Sequence, residues 1–381
     1  VRFEFATASR ILFAPGAAAQ IPALAREFGR RALLVTGRSP GRVSISGFDC
    51  VPFPAPGEPT VDLVRRGIEH ARSEGCDLVI GIGGGSAIDA GKAIAALVTN
   101  SGEPLDYLEV VGRGKPLEKP PLPFIAVPTT AGTGAEVTRN AVLGSPAHRV
   151  KASLRSPLML PRVALIDPEL TLDLPPAITA STGLDALTQL IEPYVSIRAN
   201  AMVDMFCVEA MRRVARSLSK AAVNGRDLAA RTDMCFASLL GGLALANAGL
   251  GVVHGFAAPI GGSYDAPHGA ICAAVLPYGM DMNIRALRAR AADHVALERY
   301  GEIARILTGR QSAKAEDAVA WVRSLCRRLG IPPLRAYGVE TAHFPEVVSK
   351  AANASSMKGN PIPLTPEELT DVLARATAGE A

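Results

Sequence analysis

The 381-residue sequence is poor in aromatics, which make up 5% of it and include a single Trp. Its core must therefore be filled by Ala, Val, Leu and Ile, which the 48% hydrophobic share can supply. An excess of charge of one sign is also missing. A formal charge of +4 over this length, with no long basic block, does not point to nucleic acid. Arg65 and Arg66 sit beside Glu69 at helical spacing and read as a solvated face. The six cysteines (Cys50, Cys76, Cys207, Cys235, Cys272, Cys326) contain no C-x-x-C pair. That argues against a zinc ribbon or a thioredoxin-type site and leaves reduced core residues of a cytoplasmic protein as the expectation. Apolar runs are broken by Gly, Pro or charge before about 18 residues, so no membrane-spanning helix is expected. Val1-Arg2-Phe3-Glu4-Phe5 alternates like a strand and not like a signal peptide.

What is present is an alternation of short aliphatic runs and helical patterns. Arg31–Thr36, Asp77–Ile82, Phe124–Val127 and Val163–Ile166 read as buried strands. Helix patterns lie between them, around 17–28, 60–74 and 87–98. Near-continuous apolar strands separated by helices predict a parallel sheet covered on both faces, with ligands at the carboxyl ends of the strands. After Pro175-Pro176 the strand signals fade, and Ala-, Leu- and Met-rich text at helical spacing takes over. The expected organisation is an α/β dinucleotide-binding domain over residues 1–172 and an all-α domain over 173–381.

Two loops at strand ends carry the first functional signal. Gly81-Ile82-Gly83-Gly84-Gly85-Ser86-Ala87-Ile88-Asp89 stands between a strand and a helix. Glycines allow close approach of a phosphate, and the helix start offers free N–H groups. Ser86 and Asp89 have capping-box spacing. The run is not a G-x-G-x-x-G fingerprint, because Ser86 occupies the last position, and a tight, well-capped turn is the plainer reading. The second loop, Pro128-Thr129-Thr130-Ala131-Gly132-Thr133-Gly134-Ala135-Glu136, follows the next strand and offers hydroxyls to the same crevice.

The helical half holds a different signal. Asp185 and Gln189 are one turn apart on an otherwise apolar helix. His254 and His268 lie in glycine-flanked apolar segments, and a histidine at a helix start is biased towards the neutral imidazole that a metal needs. A lone histidine of this kind is more often a hydrogen-bonded core residue; the Asp and two His in apolar settings, beside a cofactor candidate, reverse that reading. His70, His148, His294 and His343 sit in charged or loop text and read as surface residues.

Together these motifs resemble the iron-containing (group III) alcohol dehydrogenase family, nearly end to end. The resemblance includes Phe3-Glu4-Phe5, Arg10–Phe13, Gly83–Lys92, Pro128–Thr138, Leu165–Thr171, Thr182–Leu187, Gly249–Gly269 and Ser355–Pro361. It implies a dehydroquinate-synthase-like two-domain fold, a Rossmann-like parallel-sheet domain plus an all-α domain, with the cofactor between them. It also implies an oxidoreductase that moves a hydride between a nicotinamide cofactor and a small alcohol or aldehyde, with a divalent metal (Fe2+ or Zn2+) polarising the substrate oxygen. The family's pyrophosphate contacts fall on Gly84, Gly85 and Ser86, with Asp89 in the same motif. Its cofactor-contacting threonines fall on Thr129, Thr130 and Thr133, and its cofactor-side lysine on Lys151. Three of its four metal ligands, one Asp and three His, fall on Asp185, His254 and His268.

The sequence departs from that pattern at two points. Gln189 replaces the second ligand, a His, and Ala258 stands where members often carry another His near the substrate. A proton relay through residue 258 must then run through water or the ribose. Where NAD-specific relatives have a carboxylate, at the end of the first strand, this sequence has Gly37 and Arg38, with Arg42 nearby, which favours NADP(H) over NAD(H). Phe256, Ile260 and Tyr264 suggest a small or medium uncharged substrate. The resemblance also implies a homodimer or larger assembly through the first domain, with no nucleic-acid or membrane partner. Two alternatives share the fold: a metal-independent reductase of the maleylacetate reductase type, which Gln189 keeps open, and a dehydroquinate-synthase-like lyase or cyclase.

Overall fold

A computed structural model describes residues 2–38, 43, 45–148 and 150–379. Two compact units divide the chain: Ala6–Thr130 with Gly134–Asp173, and Leu174–Ala381 with the short segments Val1–Phe5 and Ala131–Thr133.

The first unit is built on a six-stranded, wholly parallel sheet. Its strands are β1 (Ile11–Phe13), β2 (Arg31–Thr36), β3 (Asp49–Pro54), β4 (Leu78–Gly83), β5 (Phe124–Pro128) and, after a separate antiparallel hairpin of β6 (Asn140–Ser145) and β7 (Val150–Arg155), β8 (Val163–Ile166). The sheet order is β1-β8-β5-β4-β2-β3. The four strands expected from apolar runs are the four inner ones, where burial on both faces demands such runs. Leu78, Ile80 and Ile82 of β4 pack under α1 (Ile21–Phe28), whereas Val79 joins α2 (Val61–Ser73) and α3 (Gly85–Val98) on the opposite face.

The edge strands carry no such signal. β1 has three residues, and β3 contains Pro52 and Pro54, which an edge tolerates because one side of the strand makes no ladder. The strand expected at the start of the chain is absent. Residues 2–8 make no ladder, and the Phe5 ring instead packs 5.8 Å from that of Phe206, so the alternation there reflects the burial of a single ring.

From β2 the sheet grows to one side through β3, then returns to the other side of β2 with β4. Such a reversal is where doubly wound sheets bind ligands. The strand ends are tied together there: Gly37 N–H donates to Ile82 O (3.3 Å), and Thr129 N–H to Gly83 O (2.8 Å).

Among its described residues the second unit has helices and no strand: α4 (Pro176–Val195), α5 (Ala201–Val223), α6 (Leu228–Ala248), α7 (Val252–Ser263), α8 (His268–Arg290), α9 (Val295–Thr308), α10 (Ala315–Arg328), α11 (Phe344–Ala352) and α12 (Pro366–Ala378). α4 starts on Pro176, where a missing N–H costs nothing, and from Gly183 onward every residue is buried among α5, α6 and α8. By length and composition α6 is apolar enough to cross a membrane, but Arg231, Asp233 and Gly241-Gly242 interrupt it, and two-thirds of its most apolar stretch is buried, as in a core helix.

Candidate functional site

The turn after β4 is shaped by crowding. A Cβ on Gly83 would lie 2.6 Å from the Ala87 Cβ and 3.3 Å from the Gly37 nitrogen, so only glycine lets the chain leave the strand at this angle. α3 begins at Gly85 behind an N-cap, Gly84, that has no side chain to offer, so its first N–H groups have neither an intrahelical acceptor nor a side-chain cap. Gly84, Gly85 and Ser86 are partly exposed at the end of an otherwise buried strand. These features fit an anionic pyrophosphate. The Thr130 side chain borders the cradle, 3.4 Å from where a Gly84 Cβ would stand.

The capping box does not form. Ser86 lies inside the helix, and Asp89 instead accepts from Val142 N–H (3.0 Å) and pairs with Lys92 at 3.1 Å. Burial pushes Asp89 up and Lys92 down, and the charge of each partner opposes that shift in the other. Lys92 also donates to Ala135 O, Thr138 Oγ1 and Asn140 O, pinning the chain that follows the threonine loop. Lys151 is on β7 and pairs with Glu58 at 3.2 Å. Gly37 and an exposed Arg38 end β2; Arg42 lies outside the described residues. Thr133 belongs to the segment grouped with the helical unit.

In the helical unit three helices converge. Asp185, Gln189 and Glu192 occupy positions i, i+4 and i+7 of α4, one buried stripe. α7 has no N-cap side chain of its own. Instead Val252 N–H donates to Asn360 Oδ1 (3.1 Å) and Val253 N–H to Glu192 Oε1 (2.7 Å), which fixes the helix start and with it His254. His254 Nδ1 donates to Glu192 Oε2 (2.6 Å), leaving Nε2 free to face Asp185 Oδ1 at 3.4 Å. α8 opens on His268, and its Nε2 lies 3.7 Å from the same oxygen. Gly269 makes that approach possible, since a Cβ there would meet Ser181 O of α4 at 2.7 Å.

Asp185 Oδ1 and Gln189 Oε1 are buried and have no hydrogen-bond partner. An orphaned carboxylate oxygen is costly unless a cation completes it. Burial disfavours charge on both imidazoles, yet the groups around them prevail. Cys272, Glu192 and Asp185 hold the His254 pKa well above its usual value, and Cys272 and Asp185 raise that of His268 to about 9. Burial likewise opposes ionisation of Asp185, but the two histidines hold its pKa below the ordinary value. The bias of a helix start towards neutral imidazole is thus reversed by negative surroundings that favour positive charge. The donor set fits a divalent metal.

Sequence reasoning missed two members of this site. Glu192 was legible only as the next step of the Asp185–Gln189 stripe. Cys272, read as a core cysteine, brings its sulfur within 4.8 Å of the Asp185, His254 and His268 donor atoms; His268 and Cys272 form an H-x3-C pair on one helical face. Conversely, Phe256 and Ile260 are fully buried and present no surface to a substrate, while Tyr264 is partly exposed with its ring 5.6 Å from that of His343.

Residues 8–168 match the family described as iron-containing alcohol dehydrogenase, and residues 179–377 match the C-terminal part of the Fe-containing alcohol dehydrogenase family. The chain is 37% identical over 319 residues to alcohol dehydrogenase 4 of Saccharomyces cerevisiae, covering 84% of this chain and 80% of that one. The crystal structure of a 1,3-propanediol oxidoreductase superposes with a TM-score of 0.90 at 33% identity, over 99% of this chain and 100% of the other. That of sulfoacetaldehyde reductase from Bifidobacterium kashiwanohense in complex with NAD+ does so with a TM-score of 0.88 at 28% identity, over 100% of both. The chain belongs to the iron-containing alcohol dehydrogenase family and is a nicotinamide-dependent, metal-containing oxidoreductase of alcohols and aldehydes.

Proposed function

We propose that Asp185, His254 and His268, with or without Gln189, hold the divalent metal, and that the first three form the catalytic centre. In this reading Gly37, Arg38, Gly84, Gly85, Ser86, Thr129, Thr130, Thr133 and Lys151 bind the cofactor. Asp89 holds the glycine turn and the threonine loop in register through Lys92. The observation that carries the metal assignment is the orphaned, buried Asp185 Oδ1 beside two imidazole Nε2 atoms; Gln189 Oε1, one turn further along α4, is likewise buried without a hydrogen-bond partner.

A divalent metal supplies Lewis acidity, lowering the pKa of a substrate hydroxyl or polarising a carbonyl, and nicotinamide supplies or accepts the hydride. The protein's share is positional. Glu192 keeps the His254 Nδ1 proton and so presents Nε2. The side chain of His268 is about one-third exposed against 1% for that of Asp185, so the centre opens to solvent on the His268 side. Ala258 offers no proton acceptor, which leaves proton exit to water or to the cofactor ribose.

NADP(H) is the preferred cofactor in this reading. Where a carboxylate would accept hydrogen bonds from a ribose 2′-hydroxyl there is only Gly37, and Arg38 is free to meet a 2′-phosphate. A reducing, cytoplasmic compartment suits six cysteines that form no disulfide. A homo-oligomer through the first unit is proposed, measurable by light scattering. The central experiment is an alcohol and aldehyde screen of the metal-replete protein with NAD and NADP side by side. Turnover should vanish on chelation and in His268→Ala, and Arg38→Ala should raise KM for NADP more than for NAD. Full activity of metal-stripped protein or of His268→Ala would refute the metal assignment.

A further inference from the structure

We propose that Cys272 is itself a metal ligand: its thiolate takes the place that the imidazole missing at position 189 would fill, and it turns the centre towards zinc in preference to ferrous iron. This rests on reading Asp185, His254 and His268 as a metal site, and goes beyond it in the donor set and the ion selected. A tetrahedral ion has bonds of about 2.3 Å to sulfur and about 2.0–2.1 Å to imidazole nitrogen or carboxylate oxygen. Those lengths set sulfur and nitrogen about 3.6 Å apart, and nitrogen and oxygen about 3.3 Å apart. The Cys272 sulfur is 3.8 Å from His254 Nε2 and 3.7 Å from His268 Nε2. Asp185 Oδ1 is 3.4 Å and 3.7 Å from the same nitrogens. Four donors from α4, α7 and α8 therefore lie within 4.8 Å of one another, and these four separations come within about 0.4 Å of those a tetrahedral ion sets.

Charge and softness agree with geometry. Gln189 offers a neutral, hard carbonyl oxygen, whereas a thiolate is soft and anionic and selects zinc over harder ions. Together with Asp185 it offsets both charges of a divalent ion in a buried setting. On binding, the S–H bond breaks heterolytically: the electron pair becomes the sulfur–metal bond and the proton passes to water. Four protein donors would leave a substrate oxygen to be taken as a fifth, a coordination number that zinc can reach in catalysis.

The test uses the full chain loaded with Co2+ or Zn2+ after removal of its own metal. The cobalt protein is expected to hold one equivalent and to show a sulfur-to-cobalt charge-transfer band in the near ultraviolet. Cys272→Ser should lose the band while retaining its circular dichroism, and should bind Zn2+ more weakly by at least the roughly 10–100-fold that removal of an outer-shell partner costs. X-ray absorption at the zinc edge needs no variant, and one sulfur neighbour at about 2.3 Å supports the assignment. Stoichiometric metal with a shell of nitrogen and oxygen alone overturns Cys272 as a ligand and leaves the metal centre standing. Failure to bind either ion overturns both.

Discussion

Glu192 touches no substrate atom in the proposed scheme, yet the start of α7 depends on its carboxylate. One oxygen takes the Val253 N–H and the other the His254 Nδ1 proton. Glu192→Ala frees the ring to rotate and leaves a buried N–H unpaired. Metal affinity should fall by roughly 10–100-fold, read by competition with a chelator; unaltered affinity would show that the ring is held by packing alone. Glu136 tests burial in the other unit. Its carboxyl is 2% exposed, and burial raises its pKa from 4.5 to about 7. Because the folded value lies above the unfolded one, its contribution is complete below about pH 4.5 and is lost as pH rises through about 7. Glu136→Gln should remove that loss, so the variant should gain about 3 kcal/mol relative to the parent between those pH values in denaturant melts. Parallel pH profiles would refute the burial effect. Neither carboxylate was singled out from the sequence, because a Glu in apolar text gives no sign of what packs against it until the fold is known.

At the scale of elements, the decisive contact is the meeting of α8 with α4. Gly269 sets the distance, and nothing larger fits against Ser181 O at 2.7 Å. Gly269→Ala should push the start of α8 outward, at a cost of about 1–3 kcal/mol in stability. It should also carry His268 away from Asp185, so that bound metal drops together with the melting temperature. A variant of normal metal content would mean that the helix start can shift without disturbing its first residue. The elements themselves were largely legible. The inner strands announced themselves as apolar runs, and Asp185 and Gln189 fell on one helical face by spacing alone. The edge strands β1 and β3 and the β6–β7 hairpin did not, because half-buried, proline-containing or very short strands lack a run to read. The supposed cap at Ser86 failed for a related reason: spacing showed which residues were able to pair, but Asp89 found a better partner in Lys92.

At the scale of the molecule, the proposed ligands lie in one compact unit and the glycine turn in the other. Ligands stabilise the unit that binds them by mass action, by about 2.7 kcal/mol at a hundredfold excess over Kd. If the units unfold separately, calorimetry should show metal raising only the transition of the helical unit, and NADP or NAD chiefly that of the sheet unit. A metal-induced rise in the sheet unit's transition alone would contradict the site assignment.

Sequence by itself determined the class of the fold, because hydrophobic period is a local property: runs make inner strands, and 3.6-residue spacing makes helices. It also exposed the glycine turn and three of the four donors that cluster, since residue type and loop context are written in order along the chain. Which side chains share an ion was decided only by tertiary structure. Asp185, His254, His268 and Cys272 come from three helices, and their donor atoms are brought within 4.8 Å by packing that places Gly269 against Ser181 and seats the start of α7 on Glu192. Such distances depend on the close packing of whole helices, which no local pattern encodes.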